Sequence, residues 1–270
     1  FDNFNFSDFT ELGGEELNDL SFSSFDFGDI DNDGDFDFII SGYSFDGYKT
    51  YLYENQRKLD ENGAVVQPVQ VNYVLTSNNF VSVKGGTAQF VDFDFDGRLD
   101  ILFSGQSGDA GDIVKAYKNG NDANSDGELT ADEVGYFDLN VGLPAVREGR
   151  FVFGDFDSNG YADVLYSGTV AGQGKITKMA TWVPETNEML ESPYDFSYYQ
   201  DANIGVGDFD GDMDVVATAI DGDDINWYEN DGSENFTERS IVGNLNGALG
   251  LAINDVDGDG DLDIFATAFN

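Results

Sequence analysis

The stretch "DFGDIDNDGDFDFIISG", residues 26 to 42, sets Asp29, Asp31, Asp33, Asp35 and Asp37 at alternate positions and then runs straight into an apolar segment. So many like charges beside a strand bound for the core need a partner of opposite charge. The side-chain oxygens of Asp29, Asp31, Asp33 and Asp37 fall at positions 1, 3, 5 and 9 of a tight loop. Gly34, after position 5, permits the sharp turn without a Cβ clash. Hard oxygen donors at this spacing suit calcium, which accepts six to eight oxygens and takes a backbone carbonyl as well, here that of Asp35 at position 7. Magnesium fits less well, because it holds to a stricter octahedron that retains water.

The pattern returns as "FVDFDFDGRLDILFSG" (90 to 105), "FGDFDSNGYADVLYSG" (153 to 168), "VGDFDGDMDVVATA" (206 to 219) and "INDVDGDGDLDIFATA" (253 to 268). The matching ligand sets are Asp92, Asp94, Asp96 and Asp100 with the carbonyl of Arg98; Asp155, Asp157, Asn159 and Asp163 with that of Tyr161; and Asp255, Asp257, Asp259 and Asp263 with that of Asp261. The loop at 208–214 departs from the rule. Its Asp208, Asp210, Asp212 and Asp214 sit in a stretch two residues short, so one ligand is lost or displaced and a weak or empty site is expected.

A sixth loop differs in kind. In "NDANSDGELTADEV" (121 to 134), Asp122, Asn124, Asp126, Glu128, Thr130 and Glu133 occupy positions 1, 3, 5, 7, 9 and 12 of an EF-hand loop, with Gly127 at position 6. The strand-like "IVKAYKNG" before it leaves no helix-loop-helix pair, so 122–133 reads as an isolated calcium loop inserted in a β unit. About four to six calcium ions per chain are expected.

The first aspartates of the five related loops lie 63, 63, 53 and 47 residues apart, a period that suits one four-stranded propeller blade. Each interval holds further segments with alternating apolar positions. "YKTYLYEN" (48 to 55), "IVKAYKN" (113 to 119), "KITKMATWV" (175 to 183) and "INWYEN" (225 to 230) read as third strands. "VQVNYVLTS" (69 to 77), "YFDLNVGL" (136 to 143), "YDFSYYQ" (194 to 200) and "NFTERSIVG" (235 to 243) read as fourth strands. Long helical periodicity is absent. The expected fold is all-β: residues 1–270 as a single β-propeller of four-stranded blades, five in number. "FDNFNFSDFTELGG" at the start aligns with "YENDGSENFTERSIVG" (228 to 243), so the last blade is shared between the two ends, and its missing third strand would come from a longer chain or a partner.

Composition narrows the partners. Fifty-three acidic residues face 12 basic ones, for a net charge of -41, which makes nucleic acid and anionic membrane surfaces poor partners. No apolar run approaches the roughly 18 residues that span a bilayer, so membrane insertion is not expected. The absence of cysteine rules out disulfides and thiolate metal sites, and the absence of histidine removes the usual acid/base group. About half of the carboxylates belong to the six loops, so even six divalent ions would leave the surface acidic.

The stretches "FGDIDNDGDFDFIISG", "FGDFDSNGYADVLYSG", "NDVDGDGDLDIFATA" and "INWYENDGSENFTE" resemble the FG-GAP and VCBS-type repeats of integrin alpha-subunit propellers, fungal lectins and many secreted bacterial proteins. The resemblance covers nearly the whole chain, although "SG" or "AT" stands where the "GAP" of the motif would fall. It implies a calcium-bearing propeller and leaves activity open, since such repeats serve adhesins, lectins and lyase-associated domains.

The expected role is therefore a binding or adhesion module for glycan or protein, secreted or at the cell surface. Extracellular calcium loops bind at roughly 0.1 to 1 mM, too weakly to fill at resting cytosolic levels. Tyr198, Tyr199, Trp182 and Trp227 are the candidate ligand contacts, and no catalytic residue is assigned. A structural subunit of a filament or stalk, with a neighbouring domain or subunit completing the last blade, is the alternative. An enzyme acting on polysaccharide ranks behind both.

Overall fold

The computed structural model describes residues 20–55, 73–77, 80–120, 136–139, 141–186, 188–194, 196, 203–218, 224–243, 245 and 247–268. These form four four-stranded sheets and one two-stranded sheet, all antiparallel. The first is β1 (Ser21–Gly28), β2 (Asp37–Ser44), β3 (Gly47–Asn55) and β4 (Tyr73–Ser77). The second is β5 (Lys84–Val91), β6 (Asp100–Ser107), β7 (Gly111–Asn119) and β8 (Tyr136–Leu139). β9 (Val146–Gly154), β10 (Asp163–Val170), β11 (Gly174–Val183) and β12 (Glu188–Glu191) make the third. β13 (Asn203–Asp208), β14 (Met213–Thr218), β15 (Ile225–Glu229) and β16 (Thr237–Val242) make the fourth, and β17 (Ala248–Asn254) with β18 (Asp263–Ala268) the fifth. Each sheet is a meander in chain order. The all-β expectation holds: among the described residues there is no α-helix, only a 3-10 turn at Gly108–Ala110.

Every acidic loop of the repeat joins the first strand of a sheet to the second. The residue before position 1 pairs with the aspartate at position 9, as Gly28 with Asp37, Val91 with Asp100, Gly154 with Asp163 and Asn254 with Asp263. Gly207 pairs with Asp214 in the same way. The fourth sheet thus keeps the register, and its two-residue deletion falls wholly on the loop.

Successive sheets pack through their first strands, β1 on β5, β5 on β9, β9 on β13 and β13 on β17. Two residues after position 9, Ile39, Leu102, Leu165 and Val216 are each fully enclosed. Ile39, Leu102 and Leu165 feed three core clusters between neighbouring sheets, and each such side chain contributes about 1.5–3 kcal/mol by leaving water. Close approach depends on matched sizes. A Cβ on Gly28 would lie 2.4 Å from Leu99 Cδ1, one on Gly154 2.6 Å from Met213 Cγ, and one on Gly207 2.6 Å from Leu262 Cδ1. At the second interface the sizes are exchanged: Val91 stands where the others have glycine, and Ala162 where they have Leu or Met.

The two ends of the array expose positions that are enclosed inside it. Phe25 and Phe27, equivalent to the enclosed Ala88 and Phe90 of β5, are 62% and 52% exposed, and Phe265, equivalent to Ile39, is 51% exposed. One strand differs from expectation. The third sheet ends with β12 at 188–191, not at 194–200. Tyr194 and Phe196 instead lie 4.6 Å apart as a plug in the core between the third and fourth sheets.

Candidate metal centres

Four of the loops share one backbone. Position 4 has a left-handed φ in Asn32 (57°), Phe95 (49°), Ser158 (59°) and Gly258 (78°), and position 6 does so in Gly34, Gly97, Gly160 and Gly260 (84–97°). Glycine at position 6 supplies that conformation without strain. The double turn directs backbone N–H groups inward. Position 6 donates to the carboxylate at position 1, from Gly34 to Asp29 (2.9 Å), Gly97 to Asp92 (2.8 Å), Gly160 to Asp155 (2.9 Å) and Gly260 to Asp255 (3.0 Å). The position 7 residues Asp35, Arg98, Tyr161 and Asp261 donate their N–H to the side chains of Asp33, Asp96, Asn159 and Asp259 at 2.8–3.0 Å.

This scaffold brings carboxylates together. Asp29, Asp31 and Asp33 place three oxygens within 4.8 Å of one another, as do Asp92, Asp94 and Asp96; Asp155, Asp157 and Asp163; and Asp255, Asp257 and Asp259. Among the described residues no such group draws on Asp208, Asp210, Asp212 or Asp214. In that shorter loop Gly211 alone has a positive φ, and it donates its N–H to Asp208. The EF-hand-like residues Asp122, Asn124, Asp126, Glu128, Thr130 and Glu133 lie outside the described residues, in the connection between β7 and β8.

The aspartates at position 9 do a second job that spacing alone does not disclose. Asp37 accepts the N–H of Ile30 (2.8 Å) and of Asn55 (2.7 Å). Asp100 accepts those of Phe93 (3.1 Å) and Asn119 (2.7 Å), and Asp163 those of Phe156 and Trp182 (both 2.8 Å). Asp214 accepts that of Asn230 at 2.7 Å, and Asp263 that of Val256 at 3.1 Å. Each enclosed carboxylate of the first three sheets thus ties its loop to the end of the third strand. The Asn that ends several third strands adds a tie between loops: Asn119 Nδ2 donates to the carbonyl of Ile30 and Asn230 Nδ2 to that of Phe156. Its recurrence in "YEN", "YKN" and "YEN" was the available sequence signal.

Holding these charges costs energy in the protein alone. Burial pushes Asp37, Asp100 and Asp163 up to about 7, although the N–H bonds pull the other way. Burial and the neighbouring Asp33 push Asp31 up to about 6. A divalent cation would offset both the desolvation and the mutual repulsion. Asp94 Oδ1 makes the same point, being an enclosed carboxylate oxygen with no hydrogen-bond partner. The donor set is all oxygen and mostly carboxylate, which fits a hard cation of calcium type.

The aromatic candidates separate. Trp182 is enclosed, stacked 6.0 Å from Phe93. Trp227 is half-buried beneath the Arg239 guanidinium, 5.7 Å from its ring, and Tyr198 and Tyr199 lie outside the described residues. Among the described residues the exposed rings are Phe22, Phe36, Tyr43, Phe45 and Phe95 together with the end-face Phe25, Phe27 and Phe265.

No curated protein matches the chain. The family model of the FG-GAP-like repeat matches residues 198–266, a span holding the fourth and fifth acidic loops with β13 to β17 and most of β18. An FG-GAP-like repeat is therefore present in this chain, at the one loop of shortened geometry and one of the four that share a backbone.

Proposed function

We propose that residues 1–270 form a calcium-stabilised β-propeller of FG-GAP type that serves as a secreted or cell-surface binding module for a glycan or protein. The observation that carries this reading is the common backbone of four acidic loops, each closing the same turn of a sheet and converging three carboxylates. Calcium would be held by the oxygens at positions 1, 3 and 5, with position 9 and the position 7 carbonyl in reach of the same loop, and would supply positive charge that locks first, second and third strands together. The proposed ring has five blades. Exposure of Phe25 and Phe27 at one end and Phe265 at the other supports closure, because each end carries half of the interface that neighbouring sheets make inside the array. The last blade would then be shared between the two ends of the chain, in keeping with the likeness of "FDNFNFSDFTELGG" to "YENDGSENFTERSIVG" (228 to 243).

Ligand recognition falls to exposed rings such as Phe36, Phe45 and Phe95. The test is retention of calcium-loaded protein on immobilised glycans and extracellular proteins, with a chelator control. The reading expects a bound class that is lost on chelation; no retention on any surface would contradict it.

The same end faces favour a second reading, a structural subunit of a surface filament or stalk. There a neighbouring domain or subunit would complete the last sheet at β18. Regular head-to-tail polymers in calcium would select this reading over the free-standing module.

A further inference from the structure

The residue just before the one whose N–H reaches position 9 differs from sheet to sheet. It is Glu54 in β3, Lys118 in β7, Thr181 in β11 and Glu229 in β15. In the first sheet this position adds negative charge near Asp31. In the second it does the opposite. Lys118 Nζ donates to Asp94 Oδ2 and lies 3.4 Å from Asp96 Oδ2. Arg98 adds a fork to the same oxygen, with Nη2 at 3.0 Å and Nε at 3.2 Å. Two of the three converging carboxylates of this loop therefore already carry protein cations, and all four side chains are about one-quarter to one-third exposed. Among the described residues no basic side chain forms an ion pair with the clusters at 155–163 or 255–259.

We infer that Lys118, supported by Arg98, is a built-in competitor for the divalent cation of the second loop, so that this loop stays ordered without calcium and takes calcium after the third and fifth loops. The inference rests on the calcium reading above and deepens it. An ammonium and a divalent ion within a few ångströms of the same carboxylates repel each other, so calcium entry requires Lys118 to swing out towards solvent. The array would then have graded sites: the third and fifth loops fill before the second, and the second sheet keeps its turn when calcium falls.

The experiment combines calcium titration calorimetry with hydrogen exchange on the wild-type chain and on Lys118→Gln, with Lys118→Arg as the variant that keeps the charge. In wild-type protein under chelator, amides of 92–100 should stay protected while those of 155–163 and 255–263 lose protection. In Lys118→Gln one site should gain about tenfold in calcium affinity, and protection of 92–100 should become calcium-dependent; Lys118→Arg should behave as wild type. Normal titration of the other loops with an unchanged or weaker second site in Lys118→Gln would overturn the inference alone. Equal loss of protection in all loops of the wild type would overturn it without any variant. Absence of calcium binding at every loop would overturn it together with the reading on which it rests.

Discussion

The carboxylate of Asp163 accepts the backbone N–H of Trp182 at 2.8 Å, which fastens the third acidic loop to a strand 19 residues further along the chain. Its other oxygen takes the N–H of Phe156. Asp163→Ala would leave two enclosed donors without partners, at about 1–3 kcal/mol for a buried unsatisfied group. The urea midpoint should fall in chelator as well as in calcium. Asp157→Asn is the contrast: it weakens the calcium response and changes metal-free stability little, because Asp157 bonds chiefly to Asn159 within its own loop.

The glycines that admit a neighbouring loop make a size rule that can be tested. Gly28→Ala puts a methyl 2.4 Å from Leu99 Cδ1 and should cost about 1–3 kcal/mol by overpacking. The double variant Gly28→Ala with Leu99→Ala should recover part of that loss, following the Val91 and Ala162 pair that already exchanges sizes one interface along. Additive losses in a double-mutant cycle would contradict the contact.

The pH dependence has a definite sign. Asp37, Asp100 and Asp163 titrate near 7 in the folded protein and from an ordinary value of 3.8 otherwise. Folded protein thus binds the extra protons, and the stability they contribute is full below about pH 4 and lost as pH rises through about 7. Metal-free protein should show a lower urea midpoint at pH 8 than at pH 5.5 from these groups, and calcium should close the gap by replacing the protons.

The absence of cysteine makes ring closure easy to probe. Phe27→Cys with Phe265→Cys should give an intrachain product with a short bifunctional maleimide at low protein concentration. Products linking two chains only would favour the filament reading.

Much of the fold was legible because two short-range signals coincide. Aspartates at alternate positions with a following glycine mark the turn, and the apolar run after Asp37, Asp100 or Asp163 marks the second strand. What escaped depends on partners distant in sequence. Lys118 meets Asp94 across 24 residues, once β6 and β7 have paired. The strand at 188–191 is four residues with one inward side chain, Met189, and gives no pattern to read. Tyr194 and Phe196 alternate as a strand would, yet their rings are taken up by Tyr228 and Phe236 in the core. The double role of position 9 was hidden because its partners are backbone N–H groups, which carry no sequence signature.

Whether calcium holds this fold together is read from thermal unfolding of chelator-stripped protein across a calcium titration, with magnesium as control and bound metal counted by elemental analysis. A calcium-stabilised propeller should show a calcium-specific rise in Tm with four to six ions per chain, each filled site adding about 2.7 kcal/mol at a hundredfold excess over its Kd. No shift and no bound metal would contradict it and leave the aspartates as turns that hold only their own backbone.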